Sequence, residues 1–155
     1  MEIERKYLLS ALPPRALLGE GRLVQQGYLE SGLRLRLVSE ECFLTLKGEG
    51  TLAREEWEDA IPRWVFDQLW PGSEGHRLEK IRYRVPHGDL ELEVDEYLGP
   101  LAGLVTLECE FDSVASAGRL VLPDWAADAR EVTEDRRYRN SHLASFGLPE
   151  PPRGR

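Results

Sequence analysis

Eight stretches of this chain alternate between charged and apolar residues, and a two-residue period belongs to the β-strand. They fall roughly at 1–9, 22–30, 32–39, 42–48, 53–60, 78–85, 89–97 and 104–111, most of them separated by Gly, Pro, Ser or Asp. A chain patterned this way has to build a sheet whose two faces differ in polarity. Most connections are short, which favours an antiparallel meander over parallel units with helical crossovers. The expected class is mainly β (α+β), an eight-stranded antiparallel closed barrel with a few flanking helices. One helix is predicted over 62–70, with Pro62 in its first turn and Pro71-Gly72 as its stop. A second covers 113–120, and a third follows Asp135 through Tyr138, His142 and Phe146 to end near Gly147.

The charged positions are sorted by strand. One face carries Glu2, Glu4 and Lys6, then Arg34 and Arg36, Thr45 and Lys47, and Arg54, Glu56 and Glu58. It continues with Lys80, Arg82 and Arg84, then Glu91, Glu93 and Asp95, and ends with Glu108 and Glu110. The other face is mostly Leu, Ile, Val, Cys and Phe. Alternation alone fits a sheet whose charges face water and whose apolar side fills the barrel. Ordinary solvent faces mix in Ser, Asn and Gln, however, whereas these positions are dominated by Arg and Glu. Facing inward, such charges demand a hydrated interior in which each is paired or liganded, because stripping an ion of water costs several kcal/mol. Glu-x-Glu pairs suit a hard divalent cation, and arginine forks suit phosphate oxygens. A metal-bound polyphosphate answers both.

The remaining composition narrows the classes. With 20 Lys and Arg against 28 Asp and Glu, the net charge of −8 argues against a nucleic-acid polymer as partner. Cys42 and Cys109 are far apart, signal neither zinc site nor disulfide framework, and fit a reducing cytoplasm. No run approaches the ~20 apolar residues of a membrane helix, so neither membrane insertion nor export is expected. The length suits one domain, expected over 1–148, with a loose tail at 149–155 and a monomer or homodimer as the assembly. His76, His87 and His142 lack metal-ligand spacing.

The ordered series Glu2-x-Glu4-x-Lys6, Gln26-Gly27-Tyr28-Leu29, Leu33-Arg34-Leu35-Arg36, Thr45-Leu46-Lys47 and Arg54-x-Glu56-x-Glu58 resembles the CYTH superfamily, the triphosphate tunnel metalloenzymes. The resemblance continues through Glu79-Lys80-x-Arg82-Tyr83, Glu91-Leu92-Glu93-Val94-Asp95, Glu108-x-Glu110-Phe111 and Val132-Thr133-Glu134-Asp135-x-Arg137-Tyr138. Leu69-Trp70-Pro71 with Glu74-Gly75 is similar to the short bacterial inorganic triphosphatases.

This resemblance implies a charged tunnel in which Mg2+ or Mn2+ and a small-molecule triphosphate meet, with hydrolysis of tripolyphosphate to pyrophosphate and phosphate as the leading activity. It makes Glu2, Glu4, Glu108 and Glu110 metal ligands, with Glu56 and Glu58 as further candidates. Lys6, Arg34, Arg36, Lys47, Arg54, Lys80, Arg82 and Arg136 match the basic set that grips phosphate. Lys80 and Lys47 are candidates for assisting the water and the leaving oxygen, and Tyr28 for orienting water or phosphate. The helix after Asp135 is expected to close one end of the tunnel. Alternatives on the same fold are an adenylate cyclase and a thiamine or nucleoside triphosphatase. A polyphosphate-binding module without catalysis and a calcium-binding structural barrel are alternatives of other classes.

Overall fold

The computed structural model describes residues 1–150, and the two-residue period becomes ten strands in one antiparallel sheet. They are β1 Glu2–Leu9, β2 Arg22–Tyr28, β3 Arg34–Val38, β4 Glu41–Lys47, β5 Ala53–Arg54 and β6 Glu56–Ile61. The rest are β7 Arg77–His87, β8 Leu90–Tyr97, β9 Val105–Glu110 and β10 Arg130–Glu131. Their order is β10-β1-β9-β8-β7-β2-β3-β4-β6, and β5 pairs with β1. Four helices flank the sheet: α1 Arg15–Leu18, α2 Arg63–Leu69, α3 Val114–Gly118 and α4 Asn140–Phe146. Among the described residues no helix is long and apolar enough to cross a membrane.

Several boundaries differ from expectation for local reasons. The stretch expected at 53–60 changes partner at Glu55: Ala53 and Arg54 pair with β1, whereas Glu56–Ile61 pair with β4. Residues 29–33 form a turn, with Leu29 N–H bonded to Leu33 O and Gly32 at φ +90°, so β3 starts only at Arg34. The helix expected after Asp135 is two pieces. The Asp135 carboxylate caps a single 3-10 turn at Arg136–Tyr138, Arg139 is extended, and α4 begins at Asn140. The helix expected at 113–120 is one short helix capped by the Ser113 side chain. α1 and β10 had no counterpart in the predicted elements. Pro149 and Glu150 carry no helix or strand, and the rest of the expected tail, 151–155, lies outside the described residues.

The apolar face of the sheet is buried beneath its flanking segments. Tyr7, Leu9, Tyr83, Val85, Leu92, Val94, Leu107 and Cys109 form one cluster with Leu18 of α1 and Ala117 of α3. Phe66 of α2 packs on Leu35 and Cys42 in another. A third cluster lies on the opposite face. Leu8, Leu78 and Tyr97 occupy the same alternating positions as Lys6, Lys80 and Asp95, and they pack under Tyr138 and under Leu143 of α4. The charged face therefore ends in an apolar block where α4 lies on it.

Candidate active site

The charged face encloses a cavity of about 1270 Å³ lined from all nine strands β1 to β9. Its wall includes Glu2, Glu4, Lys6, Tyr28, Arg34, Arg36, Lys47, Arg54, Glu56, Glu58, Arg82, Glu108 and Glu110. Sheet register explains why distant motifs meet: Glu4 faces Glu110, Lys6 faces Glu108 and Glu2 faces Arg54 across β1.

The carboxylates divide into two groups. Glu2, Glu4 and Glu110 each offer an oxygen to a cluster whose members all lie within 4.8 Å of one another. Burial, followed by the negative charge of Glu108, pushes Glu4 up to about 8. Burial likewise raises Glu2, which shares a hydrogen bond with Glu56, and raises Glu110 beside Glu2. Three crowded carboxylates that resist ionisation are poorly compensated by protein cations, and the donor set, all oxygen, fits a hard divalent ion.

The other carboxylates hold bases. Glu108 lies 3.5 Å from the Lys6 ammonium and 3.9 Å from Arg82. Burial works against its charge, yet Lys6, Arg82 and Lys80 hold it down at about 2. Glu58 accepts from Thr45 at 2.6 Å and from Arg34 at 3.1 Å, and Lys47 bridges Glu2 at 2.7 Å and Glu56 at 3.4 Å. Of the six glutamates expected to bind metal, Glu108, Glu56 and Glu58 thus lie outside the three-carboxylate cluster. Each is engaged by the basic residues around it.

The basic wall is incompletely paired. The Nε atoms of Arg34, Arg36 and Arg54 are buried, and no partner for them exists among the described residues. Burial and the neighbouring Arg34 charge lower Arg36 to about 10. A buried guanidinium donor left unpaired is costly, and an anion in the cavity is the natural acceptor. Tyr28 joins this wall; its phenol oxygen accepts a 3.0 Å bond from Gln26 Nε2.

Two expected members of the phosphate grip lie elsewhere. Lys80 sits behind the wall, only 1% exposed, with its ammonium 2.8 Å from Asp95 and its neighbours in the apolar block under α4. Burial, then the Arg82 charge, lowers it to about 8. Arg136 faces an outer groove with Arg5, Glu131 and Arg137, because the capped 3-10 turn carries it away from the cavity. Its place in the wall goes to Arg139, which bonds the Gly50 carbonyl.

Sequence reasoning also left Asp95 without a role. It is fully buried, binds Lys80, and takes both Nε and Nη2 of Arg82 at 2.8 Å each. The signal was present in the Arg82-x-Arg84 and Glu93-x-Asp95 pairs, which the β7–β8 register sets opposite each other, Arg82 facing Asp95 and Arg84 facing Glu93.

No family model matches the chain. It is 43% identical over 150 residues to the inorganic triphosphatase of Nitrosomonas europaea, covering 92% of this chain and 96% of that one. It is 35% identical over 148 residues to the inorganic triphosphatase of Acetivibrio thermocellus, covering 92% of each. A crystal structure of the inorganic triphosphatase NE1496 superposes with a TM-score of 0.68 at 38% identity, covering 97% of both chains. The Hippeastrum protein HpAC1 shares the fold alone, at 18% identity and a TM-score of 0.57 over 76% of this chain and 83% of that one. With near full-length identity of this order, the same fold and a cavity that sets crowded carboxylates beside arginines with unpartnered Nε donors, the chain belongs to the CYTH-like inorganic triphosphatases.

Proposed function

We propose that this protein hydrolyses inorganic tripolyphosphate to pyrophosphate and phosphate in a metal-dependent reaction inside a closed eight-stranded tunnel. The observation that carries the reading is the set of buried, unpartnered Nε donors on Arg34, Arg36 and Arg54, next to a cluster of three carboxyls that stay raised even with the Lys47 ammonium 2.7 Å from Glu2. Closure is supported by the continuity of β5 and β6, one of which pairs with β1 and the other with β4. Residues 1–148 form the domain, and Tyr138 and Leu143 shut one end of the tunnel by packing on Leu78 and Tyr97. The buried, unpaired Cys42 and Cys109 agree with a cytoplasmic setting.

Glu2, Glu4 and Glu110 hold the divalent ion, for which Mg2+ and Mn2+ are the oxygen-preferring candidates. When bound, it supplies charge neutralisation to the phosphoryl oxygens and lowers the pKa of a water. The basic residues do the rest. Arg34, Arg36 and Arg54 turn their free donors to the phosphate oxygens, while Lys6, Lys47 and Arg82 meet the remaining charge. Tyr28, whose phenol oxygen is occupied by Gln26, has its own proton free to donate to a phosphate oxygen. Lys47 is the cation next to the carboxylate cluster and is our candidate to stabilise the leaving oxygen. Lys80 acts indirectly, since it fixes Asp95, and Asp95 fixes Arg82.

Phosphate release from tripolyphosphate, ATP and thiamine triphosphate, each with Mg2+, Mn2+ or chelator, tests the assignment. Metal-dependent turnover greatest on tripolyphosphate is expected. Cyclic AMP from ATP, or tight tripolyphosphate binding with no release under any metal, overturns it.

A further inference from the structure

The charges lining the cavity are sorted by depth as well as by strand. The basic side chains Lys6, Arg34, Arg36, Lys47, Arg54 and Arg82 are all buried or half-buried. The exposed rim is acidic, and among the described residues Arg84 is the only exposed arginine or lysine on the cavity. Even Arg84 is claimed, at 3.2 Å by Glu91 and 3.9 Å by Glu93. Exposed arginines are common elsewhere on the surface, for example Arg15, Arg22, Arg63 and Arg119, so the rim is not a reflection of the net charge alone.

Rim acids occur at both ends of β7. Glu30 and Glu74 lie at its start, where Tyr28 N–H bonds the His76 carbonyl. Asp89 and Asp112 lie at its finish, where β7, β8 and β9 meet. The 11 residues of β7 separate the two groups. A phosphate chain short enough to rest among the buried bases avoids both groups. A longer one has to lay anionic units against carboxylates, and like charges side by side repel.

We propose that Glu30, Glu74, Asp89 and Asp112 set the chain-length specificity of the site, rejecting linear polyphosphates longer than tripolyphosphate. This rests on the phosphate-hydrolysing reading above and adds the residues that limit its substrate. None of the four belongs to the carboxylate cluster or to the basic wall.

The test compares kcat/KM for tripolyphosphate, tetrapolyphosphate and a polyphosphate tens of units long, at fixed free Mg2+, for wild type and the variant Glu30→Gln/Glu74→Gln/Asp89→Asn/Asp112→Asn. Each neutralised carboxylate ~10 Å from an added phosphate unit is worth about twofold in a water-like medium, so the long-chain rate should rise on the order of tenfold. Tripolyphosphate kcat should stay unchanged. Wild type alone should also gain long-chain activity relative to tripolyphosphate as salt is raised, because exposed rim charges are screened. An unchanged long-to-short ratio in the variant, or equal wild-type rates on all three chains, overturns the filter while leaving tripolyphosphate hydrolysis intact. A wild type inactive on tripolyphosphate overturns the functional reading first.

Discussion

Replacing Glu4 by glutamine should make the metal-free protein more stable while stopping turnover. Glu4 is raised from 4.5 to about 8, by burial first and by the charge of Glu108 second. Below the unfolded pKa the carboxyl is protonated in both states and costs nothing. Between 4.5 and about 8 only the native state holds the proton, so native stability falls by ~1.4 kcal/mol per pH unit as pH rises. At pH 7 the accumulated penalty is about 3 kcal/mol. Glutamine has nearly the shape of the protonated acid and no charge to lose, so it escapes the penalty. For a chain of this size the gain corresponds to about 6–12 °C in Tm.

The assay is a thermal melt of both proteins in chelator at pH 4, 7 and 9, with tripolyphosphate hydrolysis measured in Mg2+. The stabilisation should be near zero at pH 4, where Glu4 is neutral in both states, and largest at pH 9. Added Mg2+ should raise the wild-type Tm by mass action and raise the variant's less, since one ligand is gone. A variant that melts below wild type in chelator at pH 7, or by the same margin at pH 4 and pH 7, would refute the claim that crowding and desolvation hold this carboxylate up.

Asp95→Asn should have the opposite sign. It leaves Lys80 and Arg82 buried without their anion, a change worth about 3–5 kcal/mol, and should lower the urea midpoint and raise KM together; wild-type stability would exclude the network. Arg139→Ala should raise KM for tripolyphosphate, whereas Arg136→Ala, on the outer groove, should leave kinetics unchanged and stability within about 0.5 kcal/mol. Loss of activity in Arg136→Ala alone would restore it to the phosphate grip.

The strands and the polarity of their faces were legible because period two is a local property of sequence, and register then carried it into space. Glu4 and Glu110 meet because β1 and β9 run antiparallel from matched ends. Where the pattern misled, the cause was non-local. Arg54-x-Glu56-x-Glu58 keeps its period through Glu55, so nothing in the alternation announces that the strand changes partner there. Asp135 reads as a helix cap and is one, but the turn it caps ends at Arg139, which moves Arg136 outward and brings Arg139 in. Lys80 continues the charged face in sequence, yet α4 arrives from some sixty residues downstream to cover that level with Leu143.

The boundary at Lys80 also explains why identical side chains do different work along one face. Glu4 and Glu108 lie on adjacent strands, in the same kind of motif, one half-buried and the other buried. Glu108 has Lys6 and Arg82 in reach and is held down at about 2; Glu4 meets other carboxylates and is raised to about 8. An acid beside bases organises the phosphate grip and needs nothing further. An acid beside acids is unfavourable until a cation arrives, which makes the folded protein least content at the point where its metal is proposed to bind. Metal affinity and apoprotein instability are then one quantity seen from two sides. Substitutions that relieve the crowding at Glu2, Glu4 or Glu110 should stabilise the empty protein roughly in the measure that they weaken Mg2+ binding, whereas those at Glu108 or Asp95 should weaken both.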